Sequence, residues 1–205
     1  MADPSRDILY RILQFLDSEN LKETARTLER ESGFYFNMRF FEDLVLNGGF
    51  DEAEEYLYGF TDVHDNMYST KIIFEIRKQK FLETLDEGER TKALRLLMNE
   101  FKDFEPYNES LCREASALLT LDDFRNHESL ADYGDIEDAR RLVMDDIRRC
   151  IELNPAFQGK LQFPNFNANL RRRLIMFGDL GRPPWNGLGG GCGPCGGCGY
   201  FPGIN

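Results

Sequence analysis

Three cysteines near the end of the chain come closest to forming a metal or redox centre. Cys192, Cys195 and Cys198 are evenly spaced within a run of glycines. Thiolates at this spacing suit tetrahedral zinc, but zinc takes four ligands and no histidine follows here. The Cys-Gly-Pro-Cys quartet also fits a thioredoxin motif, which needs a strand–helix setting that this stretch lacks. We therefore favour a free glycine-rich tail and predict neither a metal site nor a cofactor.

The residues that could perform acid–base or nucleophilic chemistry are scattered along the chain. His64 and His127 stand alone, with no nucleophile at motif spacing. The acidic pairs at 122–123 and 145–146 are typical of solvated helix faces. The sequence contains no phosphate-binding loop, dinucleotide fingerprint or nucleophile elbow. It therefore predicts a protein that is not an enzyme.

A basic and aromatic face stands out in the middle of the chain. Lys71, Phe74 and Lys78 follow helical spacing, so an aromatic ring is expected between two ammonium groups. Together with Arg77 and Lys80, these lysines form a basic cluster in an acidic protein. Such a surface suits a leucine that stands beside an acidic side chain. From these residues alone, a solvated helix face for the lysines and ordinary core for Phe74 remain alternatives.

The overall composition limits the classes of partner. The chain has 205 residues, a net charge of −11 and a pI near 4.8. Direct binding to nucleic acid or to an anionic membrane needs clustered Lys and Arg, so neither is expected.

No apolar run approaches the roughly 18 residues that suggest a membrane span, and the N-terminus does not resemble a secretory signal. Cys112 and Cys150 lie far apart inside helical patterns, which favours small buried side chains and a reducing intracellular compartment.

Apolar residues recur with a helical period throughout, and alternating strand patterns are absent. We predict an all-α fold of about nine helices in antiparallel pairs, followed by a flexible tail rich in glycine and cysteine from residue 177. The first helix is expected from Asp7 after Ser5 as its N-cap, and one of residues 17–20 is expected to cap the second, which ends at Gly33. The later helices are expected at Asn37–Leu46, Asp51–Tyr58, Asn66–Leu85, Glu89–Phe101, Tyr107–Leu119, Asp122–His127 and Asp135–Leu153.

The opening hairpin, Pro4–Phe34, is too small to bury enough apolar surface by itself. Its apolar faces therefore need another chain or the rest of the domain. Further along, two sets of apolar residues are expected to face a core. They are Ile72, Ile73, Ile76 and Phe81 in one helix, and Ala139, Leu142, Val143, Met144, Ile147 and Ile151 in another.

Several stretches resemble known modules. Residues 9–33 resemble the LisH dimerisation hairpin, and residues 36–60 resemble the adjoining CTLH module. The stretches 68–86, 118–135 and 148–161 look like the N-terminal domain of the plant TOPLESS corepressors. The likeness covers residues 4–176 in register. It divides the chain into 4–36 (LisH), 34–92 (CTLH), 93–176 (remaining helices) and 177–205 (tail).

This resemblance implies a nuclear corepressor domain that is all-helical and tetramerises. It implies binding to short leucine-rich repression motifs of the LxLxL (EAR) type, carried by transcription factors and adaptor repressors. Two β-propellers follow in the full-length family, so this chain is expected to be either a fragment or a short member without them. The alternative is a LisH–CTLH scaffold subunit of a ubiquitin-ligase assembly, because such subunits share the first two modules.

The resemblance also implies site residues. Met67 stands where the family usually has arginine, and Cys150 where it usually has leucine, which affects motif preference. The implied peptide-binding residues are Met67, Tyr68, Lys71, Phe74, Lys78, Phe104, Leu111, Leu118, Leu130, Tyr133 and Cys150. The residues implied in self-association are Ile8, Ile12, Leu16, Leu21 and Leu28 in the hairpin, with Lys102, Ser116, Ala117 and Asp122 on a second surface. The residues at 116, 117 and 122 are smaller or shorter than those of the family, so a dimer is expected more strongly than a tetramer.

Overall fold

A computed structural model describes residues 4–163, apart from 109, 131 and 132, and this part of the chain is all-helical with no strand. The all-α prediction is therefore confirmed. The predicted tail, its three cysteines and residues 164–176 lie outside the described residues. Eight α-helices are present in the described part: α1 (Pro4–Ser18), α2 (Lys22–Ser32), α3 (Met38–Leu46), α4 (Phe50–Leu57), α5 (Met67–Asp86), α6 (Arg90–Glu100), α7 (Leu111–Thr120) and α8 (Ile136–Leu153).

Four short 3₁₀ helices complete this part of the chain. They are Phe101–Phe104, Phe124–Asn126, Glu128–Leu130 and Pro155–Phe157. The helix predicted at Asp122–His127, the eighth in order, is instead a single 3₁₀ turn, Phe124–Asn126. This turn begins where the Asp123 side chain accepts a hydrogen bond from the Arg125 amide.

The helix ends predicted from local signals agree with the structure in most places. Gly33 ends α2 with φ of 59°, the left-handed conformation that glycine adopts readily. Asn37, Asn66 and Asp135 cap α3, α5 and α8, each accepting amide hydrogen bonds from the first turn. Asn154 ends α8 in front of Pro155, because a residue before proline avoids helical angles.

Three predicted helix ends were wrong. α1 begins at Pro4, so Ser5 lies inside its first turn; proline suits that position because its missing amide hydrogen would have no partner there. None of residues 17–20 caps α2, whose N-cap is Leu21 without a side-chain hydrogen bond. α7 begins at Leu111 instead of Tyr107, because the Asn108 side chain accepts hydrogen bonds from Ser110 and holds a turn there.

The described residues form two apolar core clusters that meet along α5. The first joins α3, α4, α5 and α8, and in it Ile72, Ile73 and Ile76 have no exposed surface. The second joins the later half of α5 to α6 and α7 around Phe81 and Leu97. Because α5 supplies residues to both clusters, it is the central helix of the fold.

Most of the predicted core positions are buried, with one clear exception. Met144, Ile147 and Ile151 are at most 1% exposed and face α5, as the helical period predicted. Leu142 is 70% exposed, so its assignment to the core was wrong. Neighbouring residues of a helix point in directions about 100° apart. Leu142, immediately before Val143, therefore points away from the buried face formed by Met144, Ile147 and Ile151.

The hairpin of α1 and α2 is attached to the domain through a buried carboxylate. Glu29 is 2% exposed, and Arg26 Nη1 donates to both of its oxygens at 2.6 and 2.7 Å. The Tyr56 hydroxyl of α4 donates to Glu29 Oε2 at 2.8 Å and accepts the Asn37 amide at 2.9 Å. Burial and this carboxylate raise the pKa of the Tyr56 hydroxyl. The hairpin therefore packs one side against its own domain, and its other side is left exposed.

Arg77 is the most extensively paired cation of the described residues. Its side chain is 7% exposed; Nη2 lies 2.5 Å from Glu54 Oε1 and Nη1 lies 2.7 Å from Asp103 Oδ2. Nη1 also donates to the Glu100 carbonyl oxygen at 2.6 Å. Burial opposes the charge, but the hydrogen bonds to Glu54 and Asp103 outweigh it and raise the pKa of Arg77. Through these ion pairs and hydrogen bonds, Arg77 connects α5 to α4 and to the end of α6.

The predicted basic cluster on α5 does not exist as a free positive surface. Arg77 is paired as described, Lys80 contacts Asp51 at 2.6 Å and Glu100 at 2.9 Å, and Lys78 forms an ion pair with Glu75. Among the described residues, Lys71 has no carboxylate within ion-pair distance. Periodicity placed these cations correctly on α5, but their acidic partners come from other elements or from the preceding turn.

We predict that Arg77→Gln lowers the free energy of unfolding by about 3 kcal/mol, because removing one partner of a buried ion pair leaves the others uncompensated. Denaturant titration of the purified protein measures this loss. The control is Arg141→Gln: Arg141 is 61% exposed and pairs only with residues of its own helix, so a change within about 0.5 kcal/mol is expected. Equal losses in the two variants would contradict the role assigned to Arg77.

Candidate functional site

A groove runs along one face of α5. Its first part, here called the near arm, has a volume of about 570 Å³ and lies at the N-terminal end of α5. Its second part, the far arm, has a volume of about 260 Å³ and follows the next turns of the same helix. Phe74, Asn108 and Leu111 line both arms, so the two hollows adjoin along α5 and are together called the groove.

The α5 wall of the groove follows from helical spacing. Lys71, Phe74 and Lys78 are three or four residues apart and therefore share a face, as the sequence predicted. Met67 precedes them at the near end of this face, and Leu82 follows them at the far end. The remaining faces of α5 are buried in the core, so this wall cannot rotate without disrupting both clusters.

Hydrogen bonds fix the near end of this wall. Asn66 Oδ1 accepts the amides of Tyr68 at 3.0 Å and Ser69 at 3.1 Å, and Asn66 Nδ2 donates to Asn154 Oδ1 at 2.9 Å. Asn154 Nδ2 in turn donates to Ser69 Oγ at 2.8 Å. The first turn of α5 is thereby attached to the end of α8, and the near arm has a fixed edge.

The opposite wall is built by the segment from Phe101 through α7. Phe104 is 2% exposed and meets the Phe74 ring edge-on, with 5.2 Å between ring centroids. Phe101 approaches Phe74 in the same way at 6.3 Å. Phe74 and Leu111 pack against both core clusters, so the floor of the groove is continuous with the core. The floor is therefore apolar and rigid.

The rim of the near arm is polar and accessible. Tyr107 is 57% exposed, and its hydroxyl lies 3.4 Å from His64 Nδ1, with the two rings nearly parallel at 6.4 Å between centroids. Met67 is 74% exposed at the same arm. Lys71 is exposed and projects from the α5 wall. The near arm thus combines an apolar floor with one cation that is not neutralised by an ion pair.

The far arm has a different charge balance. Lys78 lies over the Phe74 ring at 5.5 Å and is paired with Glu75, so its charge is compensated. Glu114 lies on the opposite wall and accepts a hydrogen bond from Ser110 Oγ at 2.6 Å. No Lys, Arg or His of the described residues is within ion-pair distance of Glu114.

The structure brings most of the predicted peptide-binding residues to this groove. The near arm contains Met67, Lys71, Phe74, Phe104 and Leu111, and the far arm contains Phe74, Lys78, Leu111, Leu118 and Leu130.

Three of the predicted residues line neither arm. Tyr68 packs against the first core cluster, and Cys150 is 6% exposed within it, where burial raises the pKa of its thiol. The Tyr133 hydroxyl accepts a hydrogen bond from Gln79 Nε2 at 2.8 Å, and its ring packs against Phe124. These three side chains therefore pack in or against the core clusters.

The groove also contains residues that the sequence interpretation missed. Phe81 lies seven residues after Phe74, so helical spacing could have identified it. Tyr107 and Asn108 lie before α7, where the sequence interpretation expected the helix to have begun already. The missed lining residues are His64, Asn66, Thr70, Tyr107 and Asn108 in the near arm, with Phe81, Leu82, Phe101, Glu114, Ala115 and His127 in the far arm.

The residues predicted for self-association fall into three environments. Ile8, Ile12 and Leu21 are 59%, 42% and 47% exposed, whereas Leu16 is buried within the chain and Leu28 is half-buried. Phe15, which the sequence interpretation missed, is 59% exposed. The second predicted surface is exposed; its members are Lys102, Ser116, Ala117 and Asp122.

The described part of the chain has neither a cluster of metal-binding side chains nor a membrane-spanning helix. No group of three or more His, Cys, Asp or Glu side chains there could hold a metal ion. The same part has no helix that combines the length and apolarity needed to cross a membrane.

Comparison with known proteins matches nearly the whole described chain. A family model described as a LisH-like dimerisation domain matches residues 4–34, and one described as a TPR1-like, CTLH-containing domain matches residues 37–161. The chain is 53% identical over 175 residues to Protein TPR3 of Oryza sativa subsp. japonica, covering 85% of this chain and 15% of that relative. It is 51% identical to Topless-related protein 1 and to Protein TOPLESS of Arabidopsis thaliana, covering 85% of this chain and 16% of each. The chain therefore spans only about a sixth of the length of these relatives.

We predict that Phe104→Ala lowers the free energy of unfolding by about 3–5 kcal/mol, because it empties a buried aromatic site beneath the groove. Tyr107→Ala, on the exposed rim, should lower it by less than about 1 kcal/mol. Thermal and denaturant unfolding of the two variants would measure the contrast. Similar losses for both would contradict the separation of a core-like floor from an exposed rim.

Proposed function

This chain belongs to the plant TOPLESS and TOPLESS-related family, and from that membership we propose that it is the self-associating, peptide-binding part of a transcriptional corepressor. Its proposed ligands are short LxLxL repression motifs of transcription factors and adaptor repressors, and its proposed location is the nucleus. The observation that supports this function best is the two-armed groove on α5, with an apolar floor and, at its rim, Lys71 without an ion pair among the described residues.

The length of the groove fits such a motif. From Met67 to Leu82, α5 rises by about 22 Å at 1.5 Å per residue. A five-residue extended peptide is about 17 Å long at about 3.3 Å per residue. In an extended peptide, alternate side chains point to the same face, so all three leucines of LxLxL can face the floor formed by Phe74 and Leu111.

The chemistry of the groove fits as well. Full burial of one leucine side chain contributes about 1.5–3 kcal/mol. Because association costs about 4–15 kcal/mol in lost motion, three leucines support only weak to moderate binding. Lys71 adds a cation beside the near-arm floor, where an acidic residue of the motif can approach it. Single grooves of this kind gain strength when several are presented together.

The hairpin provides the proposed means of joining chains. Ile8, Ile12 and Phe15 follow helical spacing and form an exposed apolar stripe on α1. The other side of the hairpin is held to α4 through Glu29 and Tyr56, so the stripe projects from a fixed support. A symmetric pair of such stripes buries both, in agreement with the match to a LisH-like dimerisation domain. The surface around Lys102, Ser116, Ala117 and Asp122 is proposed to join dimers into a tetramer.

We predict that Lys71→Glu and Phe74→Gln each weaken binding of an LxLxL peptide at least about tenfold by isothermal titration calorimetry. The first replaces attraction by repulsion at the rim, and the second places a polar group in the apolar floor. Lys92→Glu makes the same charge change outside the groove and should leave the affinity unchanged. Unfolding curves of each variant, recorded alongside, separate lost binding from lost folding.

The leucine-to-alanine version of the same peptide should not bind the unmodified protein measurably. Unchanged affinity in both groove variants would contradict the groove assignment. Equal binding of the leucine and alanine peptides would favour the ubiquitin-ligase scaffold alternative over the corepressor function.

We predict that Ile12→Glu shifts the protein from an oligomer to the monomer in sedimentation velocity, because a charge in the α1 stripe would have to be buried between two chains. Leu142→Glu is the matched control, since Leu142 is 70% exposed on α8, outside the stripe. A sedimentation coefficient for Ile12→Glu equal to that of the unmodified oligomer would exclude this surface as the contact.

A further inference from the structure

We propose that the groove selects peptides with opposite charges at their two ends: an acidic residue beside the near arm and a basic residue beside the far arm. This inference rests on the proposed peptide-binding function and adds to it the charge pattern and the direction of the bound peptide. The residues that would impose the pattern are Lys71 at one arm and Glu114 at the other.

The near arm favours an acidic residue because no carboxylate of the described residues lines it. Among these residues, Lys71 is the one lysine or arginine of the arm, and it has no ion pair. The remaining rim is formed by neutral polar groups, including the Tyr107 hydroxyl and the Asn108 amide. An acidic residue at this arm therefore gains a cation without displacing an existing partner.

The far arm favours a basic residue because its own lysine is already neutralised. Lys78 is paired with Glu75, whose side chain is only 13% exposed, so the lysine is held to its own helix. Glu114 lies across the arm with a hydroxyl donor, Ser110, but no cation of the described part of the chain within ion-pair distance. His127 also lines this arm. An acidic residue here meets Glu114, whereas a lysine or arginine pairs with it.

The two arms are far enough apart to act on opposite ends of one motif. Lys71 and Lys78 are separated by about 10 Å along α5, and the groove extends by about 22 Å from Met67 to Leu82. An LxLxL motif with one flanking residue on each side extends about 20 Å between the flanks. A peptide whose leucines fill the floor therefore places its two flanks at different arms.

The expected effect is on selectivity and orientation more than on total affinity. Each exposed ion pair changes affinity by about two- to fivefold, and a reversed peptide loses both pairs and adds two repulsions. A peptide that enters in the wrong direction is thus disfavoured by unmatched charges at both ends, although its leucines could still contact the floor.

Three LxLxL peptides that differ only in their end charges test this inference. The mixed peptide has Asp before the first leucine and Lys after the last, and the two like-charged peptides have Asp at both ends or Lys at both ends. We expect the mixed peptide to bind the unmodified protein at least about threefold more tightly than either like-charged peptide in isothermal titration calorimetry, because only the mixed peptide can match both arms. High salt should reduce all of these differences.

Variants then assign the difference to its residues. Lys71→Gln should reduce the preference for the mixed peptide over the peptide with Lys at both ends, and Glu114→Gln should reduce its preference over the peptide with Asp at both ends. The double variant should bring each ratio of affinities close to one. Lys92→Gln and Glu31→Gln make the same changes in net charge at exposed positions that do not line the groove, and should leave both ratios unchanged.

The outcomes separate the two proposals. If none of the peptides binds, the proposed function is wrong. If the mixed peptide binds the unmodified protein no more tightly than the two like-charged peptides, the groove proposal stands and the charge inference is wrong. If Asp at both ends gives the tightest binding, or if the difference persists in the double variant, the role assigned to Glu114 is overturned.

Discussion

The buried guanidinium of Arg77 is the interaction on which the rest of the structure depends. It lies where α5, α4 and the end of α6 meet, and it satisfies Glu54, Asp103 and the Glu100 carbonyl together. Because the segment after α6 builds the second wall of the groove, this one side chain sets the spacing between that wall and α5. The aromatic contacts of Phe74 with Phe101 and Phe104 then fill the space that Arg77 has fixed. Groove and core are therefore parts of one packing arrangement.

The distribution of charge follows from the same arrangement. Most cations of α5 form ion pairs with carboxylates of the same chain, as expected in a protein with a net charge of −11. Lys71 differs because Glu75, four residues further along α5, is already paired with Lys78. Acidic side chains are abundant in the chain, yet none of the described ones lines the near arm. This combination makes the groove a local exception to the overall charge and gives it its proposed selectivity.

Self-association and peptide binding use separate surfaces of the same rigid unit. The exposed stripe of α1 belongs to a hairpin anchored through Glu29 and Tyr56, whereas the groove lies between α5 and α7. In the function proposed from membership in the TOPLESS family, this separation of the two surfaces matters, because chains joined at the hairpin would present several grooves at once. Clustered repression motifs would then bind with an avidity that one groove of this size cannot supply.

Local signals in the sequence determined the helices and their core-facing residues. Gly33, Asn37 and Asn66 act on backbone groups within one turn, so their effect does not depend on the rest of the fold. Periodicity placed Ile72, Ile73 and Ile76 in the core for the same reason, and the family resemblance added most of the groove lining. Only the tertiary structure decided that Leu142 is exposed and that the side chains of Cys150 and Tyr133 do not line the groove. It also decided which carboxylate pairs with which lysine. These outcomes depend on which helices pack together and at what rotation, and no residue along the chain encodes that alone.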